Sequence, residues 1–231
     1  VAMGQAAASL VHDRIVKKVT AFGKARMIMA CAPSQDDFYA SLIQFARNAP
    51  DVWDKVTIFH MDEYAGLTDE QPQSFRFYLR HAFLDHIPVA AFHPIRGEAS
   101  DLQAEADRYA SLLGEAPIDV ISLGIGENGH IAFNDPPVAD FNDSRLVKLV
   151  ELDPICRQQQ VNDGCFRSLD SVPRHALTLT LPVFAKAETL VCIVPGPRKA
   201  EAVKRTMHSP IGTSCPATLL RQHADSHLFV D

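Results

Sequence analysis

The sequence has few of the features that mark secreted, membrane-spanning or zinc-knuckle proteins. Its five cysteines are odd in number and form no CxxC pair, which argues against a disulfide framework and against a zinc knuckle. No apolar run reaches the roughly 18 residues that a spanning helix needs, and the first residues lack the basic-then-apolar pattern of a signal peptide. We therefore expect a soluble, cytoplasmic protein that does not associate with membranes.

The sequence also lacks a basic segment, since no run of Lys or Arg is longer than two residues. Lys+Arg number 22 and Asp+Glu number 28, which gives a net charge of −6. Proteins bind nucleic acids through a basic face, so a nucleic-acid partner is not expected. Because the net charge is negative, an anionic ligand would need a local site whose groups overcome the repulsion from the rest of the protein.

Apolar stretches of two kinds alternate along the chain. Short continuous runs predict buried strands, and runs with a period near 3.6 predict helices. The predicted strands are 25–31, 56–60, 118–124, 175–181, 189–194 and 228–230. The predicted helices are 3–22, 34–46, 74–86, 102–113, 198–207 and 217–222.

This alternation is typical of βαβ units. We predict one α/β domain over residues 1–231, with a doubly wound, mostly parallel, Rossmann-like sheet, helices on both faces, and a less regular insertion at about 136–173. Ligands of such sheets bind beyond the carboxyl ends of the strands, so the residues at those ends are the candidates for function.

Two carboxylates follow the strand predicted at 56–60. In an extended backbone Asp62 and Glu63 point to opposite sides, so one of them can enter a cleft. A carboxylate placed there can act as a general base. Solvated acids in a turn are the alternative, and a metal site that includes His60 is weaker because no second His or Cys lies at ligand spacing.

A glycine-rich segment follows the strand predicted at 118–124. It contains a formal GxGxxG at Gly124, Gly126 and Gly129, the pattern of dinucleotide-binding folds. That fingerprint must open a helix, whereas Asn134-Asp-Pro-Pro137 stops any helix within two turns. We therefore interpret the segment as a turn that lets the backbone approach a ligand.

The same turn brings together the polar side chains of Asn128, His130 and Asp135. A histidine in this setting can take up and return protons near neutral pH, with its tautomer fixed by a neighbouring oxygen. A lone histidine is more often structural, but the acceptors on both sides of this one favour a chemical role.

Two predicted helix starts are candidate phosphate sites. Ser34 and Asp37 have the spacing of a capping box, and helix N–H groups there suit a phosphate, although Asp36 and Asp37 would repel it. A plain helix cap explains this segment at least as well. Arg198 and Lys199 are two cations at a predicted helix N-terminus, where the helix dipole disfavours positive charge. Either an anion bound there or simple solvation of the two side chains would explain why they are tolerated.

The sequence contains MDEYAGL at 61–67 and GENGHIAFNDP at 126–136, with VPRHALT at 172–178 and RKA at 198–200. With these segments it resembles the glucosamine-6-phosphate deaminase/isomerase family, whose fold also hosts 6-phosphogluconolactonases. The resemblance runs from the first strand to the last helix. The lactonase branch is expected to have Asp-Glu-Arg in place of Asp62-Glu63-Tyr64, so the deaminase branch is nearer.

The resemblance implies a small-molecule sugar phosphate as substrate and requires no metal, nucleotide or redox cofactor. Asp62 corresponds to the base that moves the C2 proton in aldose–ketose isomerisation, and His130 to the residue that opens the sugar ring. Asn128 and Asp135 correspond to acidic partners of that histidine, and Lys199 to a phosphate-binding lysine. Glucosamine-6-phosphate or galactosamine-6-phosphate would yield a ketose 6-phosphate and ammonia.

This sequence departs from the family's pattern around the histidine and around the phosphate. Asn128 stands where an Asp is often found, and Asp135 is one methylene shorter than the usual Glu. We therefore expect Asp135 to reach His130 through water or after a backbone shift. The segment 32–37 replaces a glycine-rich phosphate loop, with Ala32 and Ser34 as its candidate contacts.

The family's phosphate arginine has no counterpart at the same spacing, so Arg157 and Arg167 are candidates for that cation. Arg157 is preferred because it opens Arg-Gln-Gln-Gln in a predicted helix. The predicted substrate-binding set consists of Ala32, Ser34, Glu63, Gly124, Gly126, Arg157 and Lys199. Two other functions stay open: a sugar-lactone hydrolase with His130 as the base that activates water, and a non-catalytic sugar-phosphate sensor. A homo-oligomer is compatible with each.

Overall fold

The computed structural model describes residues 2–231, and the strands of this range belong to two sheets. The strands are β1 (Ala25–Met29), β2 (Val56–His60), β3 (Asp62–Tyr64), β4 (Ala91–His93), β5 (Val120–Leu123), β6 (Val147–Glu151), β7 (His175–Leu179), β8 (Thr189–Val194) and β9 (Ser226–Val230). The helices are α1 (Ala2–Phe22), α2 (Asp36–Arg47), α3 (Pro50–Trp53), α4 (Phe75–Ala82), α5 (Leu102–Gly114), α6 (Pro154–Asn162), α7 (Leu181–Lys186) and α8 (Ala200–His208).

The larger sheet has six parallel strands in the order β4-β2-β1-β5-β8-β9. Strands β1, β5 and β8 are buried along their whole length, because the sheet is covered on both faces. A strand buried on both faces has no polar side to show, which is why these three are continuous apolar runs in the sequence. The predicted doubly wound α/β fold is confirmed.

Neighbouring residues of β1 pack into two separate cores. Met27 and Met29 belong to the apolar cluster that includes Val11 of α1 and Leu42 of α2. Ile28 points to the other face and packs in the cluster that includes Tyr109 of α5. The alternation follows from the two-residue period of a strand, and it places the sheet between two layers of helices.

A crevice opens between the carboxyl ends of β1 and β5. Strand β1 lies between β2 and β5, and the chain continues from β1 to β2 on one side and from β5 to β8 on the other. The connections therefore diverge at this point, which is where open α/β sheets hold their ligands.

The smaller sheet was not predicted. It is antiparallel, with the order β3-β7-β6, and pairs Asp62 with Thr178 across β3 and β7. Within the insertion expected at 136–173, the structure has strand β6 and helix α6. The prediction of irregular structure missed β6, because the buried Lys148, which pairs with Asp143, and the exposed Glu151 interrupt the apolar pattern among residues rich in Asp and Asn.

The helix predicted at 34–46 begins later than the sequence indicates. A 3₁₀ turn occupies Pro33–Gln35, and α2 begins at Asp36 with Gln35 as its N-cap and no side-chain cap. The capping box expected from Ser34 and Asp37 is therefore wrong. None of the helices within residues 2–231 is long and apolar enough to cross a bilayer.

Candidate active site

A cavity of about 370 Å³ lies at the carboxyl ends of β1, β5 and β8. It is lined by most of the residues that the sequence analysis selected, namely Ala32, Ser34, Asp62, Gly124, Gly126, His130 and Lys199. Glu63, Asn128, Asp135 and Arg157 are not part of its wall. The parallel strands thus gather side chains from distant parts of the sequence at one edge of the sheet.

Asp62 is the carboxylate that enters the cavity. Strand β3 holds it by pairing with Thr178, and its side chain is buried except for the face turned to the cavity. Burial, together with the neighbouring Glu63, raises the pKa of Asp62 well above its usual range. A partly desolvated carboxylate of this kind is a stronger base than an exposed one, which suits proton abstraction from carbon.

Glu63 points to the opposite side of β3 and is fully buried, so the prediction that it contacts substrate is wrong. Its carboxylate accepts hydrogen bonds from Ser74 Oγ at 2.8 Å and from the backbone N–H groups of Phe75 and Arg76, both at 3.1 Å. The Arg76 side chain donates a further bond from Nε at 3.2 Å. Glu63 thereby caps the start of α4 and ties that helix to β3.

Replacing Glu63 with Gln should lower the free energy of unfolding by about 2 kcal/mol. Losing one partner of a buried pair usually costs about 3–5 kcal/mol, but Glu98 still faces the Arg76 guanidinium. Urea unfolding measures the change, and Glu98→Gln is the matched control, since an exposed ion pair contributes no more than about 1 kcal/mol. Equal losses of unfolding free energy in the two variants would show that burial does not make the Glu63–Arg76 pair more important for stability than the exposed pair.

His130 meets Asp135 directly, with Nδ1 lying 2.8 Å from Oδ1. The expectation that water would bridge the shorter side chain to the ring is therefore wrong, and the alternative of a backbone shift stays a prediction. Asn128 completes the group: its Nδ2 donates to Asp135 Oδ1 at 2.7 Å, and its Oδ1 accepts from the backbone N–H of His130 at 3.0 Å. These contacts lower the pKa of Asp135 against the opposing effect of its burial, so this carboxylate stays ionised beside the imidazole.

The turn before His130 fits its ring closely. A Cβ atom on Gly126 would lie 2.1–2.4 Å from three atoms of the His130 ring, so the ring rests on the bare backbone of this glycine. Gly129 has φ = 89°, a conformation that other residues rarely adopt. No helix follows the turn, which agrees with our interpretation that the GxGxxG match is not a dinucleotide fingerprint.

Ala132 adds strain to the same loop, because it has φ = 50° although it is not glycine. It lines the cavity two residues after His130. Non-glycine residues in this conformation usually persist where the surrounding structure requires them, and such positions cluster at functional sites.

Lys199 and Arg198 lie on the far side of the cavity, at the 3₁₀ turn that precedes α8. Arg198 pairs with Asp163 at 2.8 Å, whereas Lys199 forms no ion pair within residues 2–231. Burial lowers the pKa of Lys199. An anion at this place would restore the interactions that the ammonium group loses on burial.

Arg157 is not the cation of this site, contrary to the prediction. Its guanidinium donates to the backbone carbonyls of Leu169 and Val172, at 2.6 and 2.9 Å, and so fastens α6 to the segment that follows it. Arg167 does not line the cavity either.

The acids of the 32–37 segment are turned away from the cavity wall. Asp36 accepts a hydrogen bond from Tyr78, whose hydroxyl also donates to the carbonyl of Ala32 at 2.8 Å. Neither Asp36 nor Asp37 lines the cavity, whereas Ser34 does. The repulsion expected between these acids and a phosphate is therefore weaker than the sequence suggested.

His60, the third residue of the metal alternative, is structural. It is fully buried, and its Nε2 accepts a hydrogen bond from the backbone N–H of Ile95 at 2.8 Å. Burial lowers the pKa of His60 to about 3, so the ring is neutral. Among residues 2–231 it forms no cluster of metal ligands with Asp62 and Glu63.

Helix α6 and its C-cap contribute residues that the sequence analysis missed, since Gln159, Gln160 and the C-cap Asp163 all line the cavity. Gln159 Oε1 accepts a hydrogen bond from the backbone N–H of Glu127 at 2.8 Å, which connects α6 to the glycine-rich turn. The spacing of these residues could have been noticed in the sequence, because positions 159 and 163 are four residues apart and would share one face of a helix.

Comparison with known proteins agrees with this geometry. The sequence profile of the family described as glucosamine-6-phosphate isomerases/6-phosphogluconolactonase matches residues 1–229. A glucosamine-6-phosphate deaminase of Bacillus cytotoxicus is 32% identical over 229 residues, which is 99% of this chain and 82% of that protein. The deaminase of Bacillus cereus strain B4264 is 35% identical over 177 residues, 77% of this chain and 66% of that protein.

Solved structures extend the comparison. A glucosamine-6-phosphate deaminase described as monomeric superposes with a TM-score of 0.89 at 32% identity, over 99% of this chain and 92% of that one. A 6-phosphogluconolactonase from Shewanella baltica superposes with a TM-score of 0.78 at 19% identity, over 99% and 92%, and at that identity the likeness shows the fold alone.

Proposed function

The chain belongs to the glucosamine-6-phosphate isomerase/6-phosphogluconolactonase family, and we propose that it converts an amino-sugar 6-phosphate into a ketose 6-phosphate with release of ammonia. The observation that carries the proposal is the shared cavity. One wall presents the buried carboxylate of Asp62, another the ring of His130 backed by Asp135, and a third the unpaired ammonium of Lys199. The substrate is glucosamine-6-phosphate or galactosamine-6-phosphate.

Ring opening is the first step and falls to His130. The hemiacetal must lose the proton of its C1 hydroxyl and gain one on the ring oxygen before C2–H becomes acidic. A single imidazole can carry out both transfers, because it accepts a proton on one site and returns it within the same pH range. Asp135 holds the ring in place and stabilises the imidazolium that forms between the two transfers.

Asp62 then acts as the base that removes the C2 proton. The electron pair of the C–H bond forms the C1=C2 bond while the aldehyde oxygen takes up a proton, which gives the enolamine. Return of the C2 proton at C1, with loss of a proton from nitrogen, leaves an imine at C2. Water adds to this imine, and the C–N bond breaks to release ammonia and the ketose. The reaction consumes one water per turnover and leaves Asp62 and His130 in their starting states.

The phosphate is assigned to the side of the cavity that holds Lys199 and Ser34. The ammonium of Lys199 is half-buried and forms no ion pair within residues 2–231, and a hydrogen bond to a charged group contributes about 1.5–3 kcal/mol. Arg198 is neutralised by Asp163, so Lys199 provides the main attraction for the anion.

The test is incubation of the purified protein with glucosamine-6-phosphate and galactosamine-6-phosphate, with ammonia and ketose measured separately. We expect stoichiometric release of both products from at least one epimer, and little from the unphosphorylated amino sugars. Ketose without ammonia would indicate isomerisation alone. Acid release from a sugar lactone without ammonia would indicate a hydrolase, and ligand-dependent thermal stabilisation without turnover would indicate a sensor.

We also propose a reducing, cytoplasmic setting, in keeping with the relatives' metabolic role. All five cysteines are free thiols, and four of them are buried. Either a monomer or a homo-oligomer fits the proposed reaction, since every group assigned a role comes from one chain.

A further inference from the structure

A thiol lies directly behind the His130–Asp135 pair. The ligand atoms of His130, Asp135 and Cys156 all lie within 4.8 Å of one another. Cys156 stands in the first turn of α6 and is 1% exposed, as is Asp135, while His130 is 7% exposed and opens to the cavity. Neither ring opening nor proton abstraction uses the Cys156 thiol.

Two buried atoms of this cluster lack a hydrogen-bond partner. Asp135 Oδ2 accepts no hydrogen bond, and the ring N–H direction at His130 Nδ1 is poorly aligned with Oδ1 despite their 2.8 Å separation. Buried polar atoms are nearly always paired, so two unpaired atoms in one cluster of metal-binding side chains point to a missing ligand. The Cys156 thiol interacts with the Asp135 carboxylate, so a cation that displaces the thiol proton would bind the second oxygen of Asp135 while Oδ1 keeps its bond from Asn128.

The donor set identifies the cation by its chemistry. One imidazole nitrogen, one carboxylate oxygen and one thiolate sulfur form a set that zinc binds, with bond lengths of about 2.0–2.3 Å and ligand atoms about 3–4 Å apart. Magnesium and calcium avoid sulfur and prefer oxygen ligands throughout. The three ligand atoms lie within 4.8 Å of one another, and His130 connects the cluster to the cavity that it lines.

We infer that His130, Asp135 and Cys156 form an inhibitory site for zinc or a similar thiophilic divalent cation. The metal would enter from the cavity, bind the Cys156 thiolate with release of its proton, and occupy the side of His130 that faces Asp135. A coordinated imidazole can no longer exchange protons with the sugar ring, so occupancy of the site stops ring opening. This consequence for activity rests on the proposed function, whereas binding of the metal does not.

Spectroscopy with cobalt tests the ligand set without any substrate. Co²⁺ added to the intact protein should give a near-ultraviolet thiolate-to-cobalt charge-transfer band that saturates at one equivalent and is displaced by Zn²⁺. Cys156→Ser should abolish the band, whereas Cys165→Ser, which removes a cavity-lining thiol outside the cluster, should retain it. A wild-type protein without the band, or a band lost only in Cys165→Ser, would overturn the inference.

Equilibrium dialysis with Zn²⁺ gives the affinity of each variant. We expect Cys156→Ser to weaken binding by more than about a hundredfold, because loss of a group that only hydrogen-bonds to a metal ligand already costs about 10–100-fold. Zinc should inhibit deamination by the wild type and by Cys165→Ser, each relative to its own metal-free rate, with recovery on chelation. Deamination without zinc binding would refute the metal site and leave the proposed function intact. Zinc binding without deamination would support the metal site and refute the proposed function.

Discussion

Replacing Asp62 with Asn is expected to lower kcat for ammonia release by about a hundredfold to ten-thousandfold, the range that positioned proton transfer contributes. Asn has nearly the same shape but cannot accept the C2 proton. Substrate binding through Lys199 does not involve Asp62, so KM should change little. Exchange of the C2 hydrogen with solvent, followed by NMR in deuterated water, should be lost to the same degree as turnover.

The same substitution should stabilise the protein. The folded-state pKa of Asp62 is raised above its unfolded value, so the native state holds this proton more tightly than the unfolded chain does. The stability linked to that proton is present at low pH and is lost as pH rises through the raised pKa. Asn carries no charge at any pH, so its gain should be near zero in acid and about 0.5–2 kcal/mol at neutral pH.

The raised pKa also fixes the acid limb of the wild-type pH profile. A general base must be ionised, so kcat/KM should begin to fall at a higher pH than the value near 4 of an ordinary aspartate. Asp54→Asn is the matched control, since Asp54 is exposed and does not line the cavity. Turnover by Asp62→Asn within about threefold of the wild type would refute the role of Asp62.

The sheet was predictable because its signal is local. Strands β1, β5 and β8 are buried on both faces and therefore appear as unbroken apolar runs bounded by turns. The position of the cavity followed from the same prediction, because parallel strands align their carboxyl ends. Asp62 and His130 could thus be selected from sequence before their distance in space was known.

The predictions that proved wrong concern side chains whose hydrogen-bond partners are remote in sequence. Whether Asp62 or Glu63 enters the cavity depends on which face of β3 meets α4, and that is decided by Arg76 and Ser74. Arg157 lies near cavity-lining residues in the sequence, yet its guanidinium donates hydrogen bonds to the backbone carbonyls of Leu169 and Val172. No pattern within a short window encodes such choices.

The reach of Asp135 was misjudged for a related reason. Counting methylenes predicts the length of a side chain, but the strained loop through Ala132 decides how near the two backbones come. With φ = 50° at Ala132, the chain folds back so that Asp135 contacts the ring of His130 at 2.8 Å. The sequence shows the residue types of this pair but not the turn that joins them.

The loop also makes Gly126 as important as a residue that has a reactive side chain. In Gly126→Ala the new methyl would lie 2.1–2.4 Å from atoms of the His130 ring, so the ring must shift by about 1 Å or more. Misplacement of a catalytic group by this distance can cost about a hundredfold in rate, and we expect kcat to fall by that factor while the fold is kept. Gly212→Ala is the control, because a Cβ there meets nothing within 4 Å.

A double-mutant cycle separates displacement of the ring from general damage. If Gly126→Ala acts only through His130, it should cost about a hundredfold in the wild type and almost nothing in a His130→Ala background, where no ring remains to be moved. Equal costs in both backgrounds would mean that the methyl group disturbs the substrate or the backbone N–H of Gly126, which donates to the carbonyl of His130 at 3.0 Å. The cycle therefore tests whether the glycine serves the sugar phosphate directly or serves the histidine that rests on it.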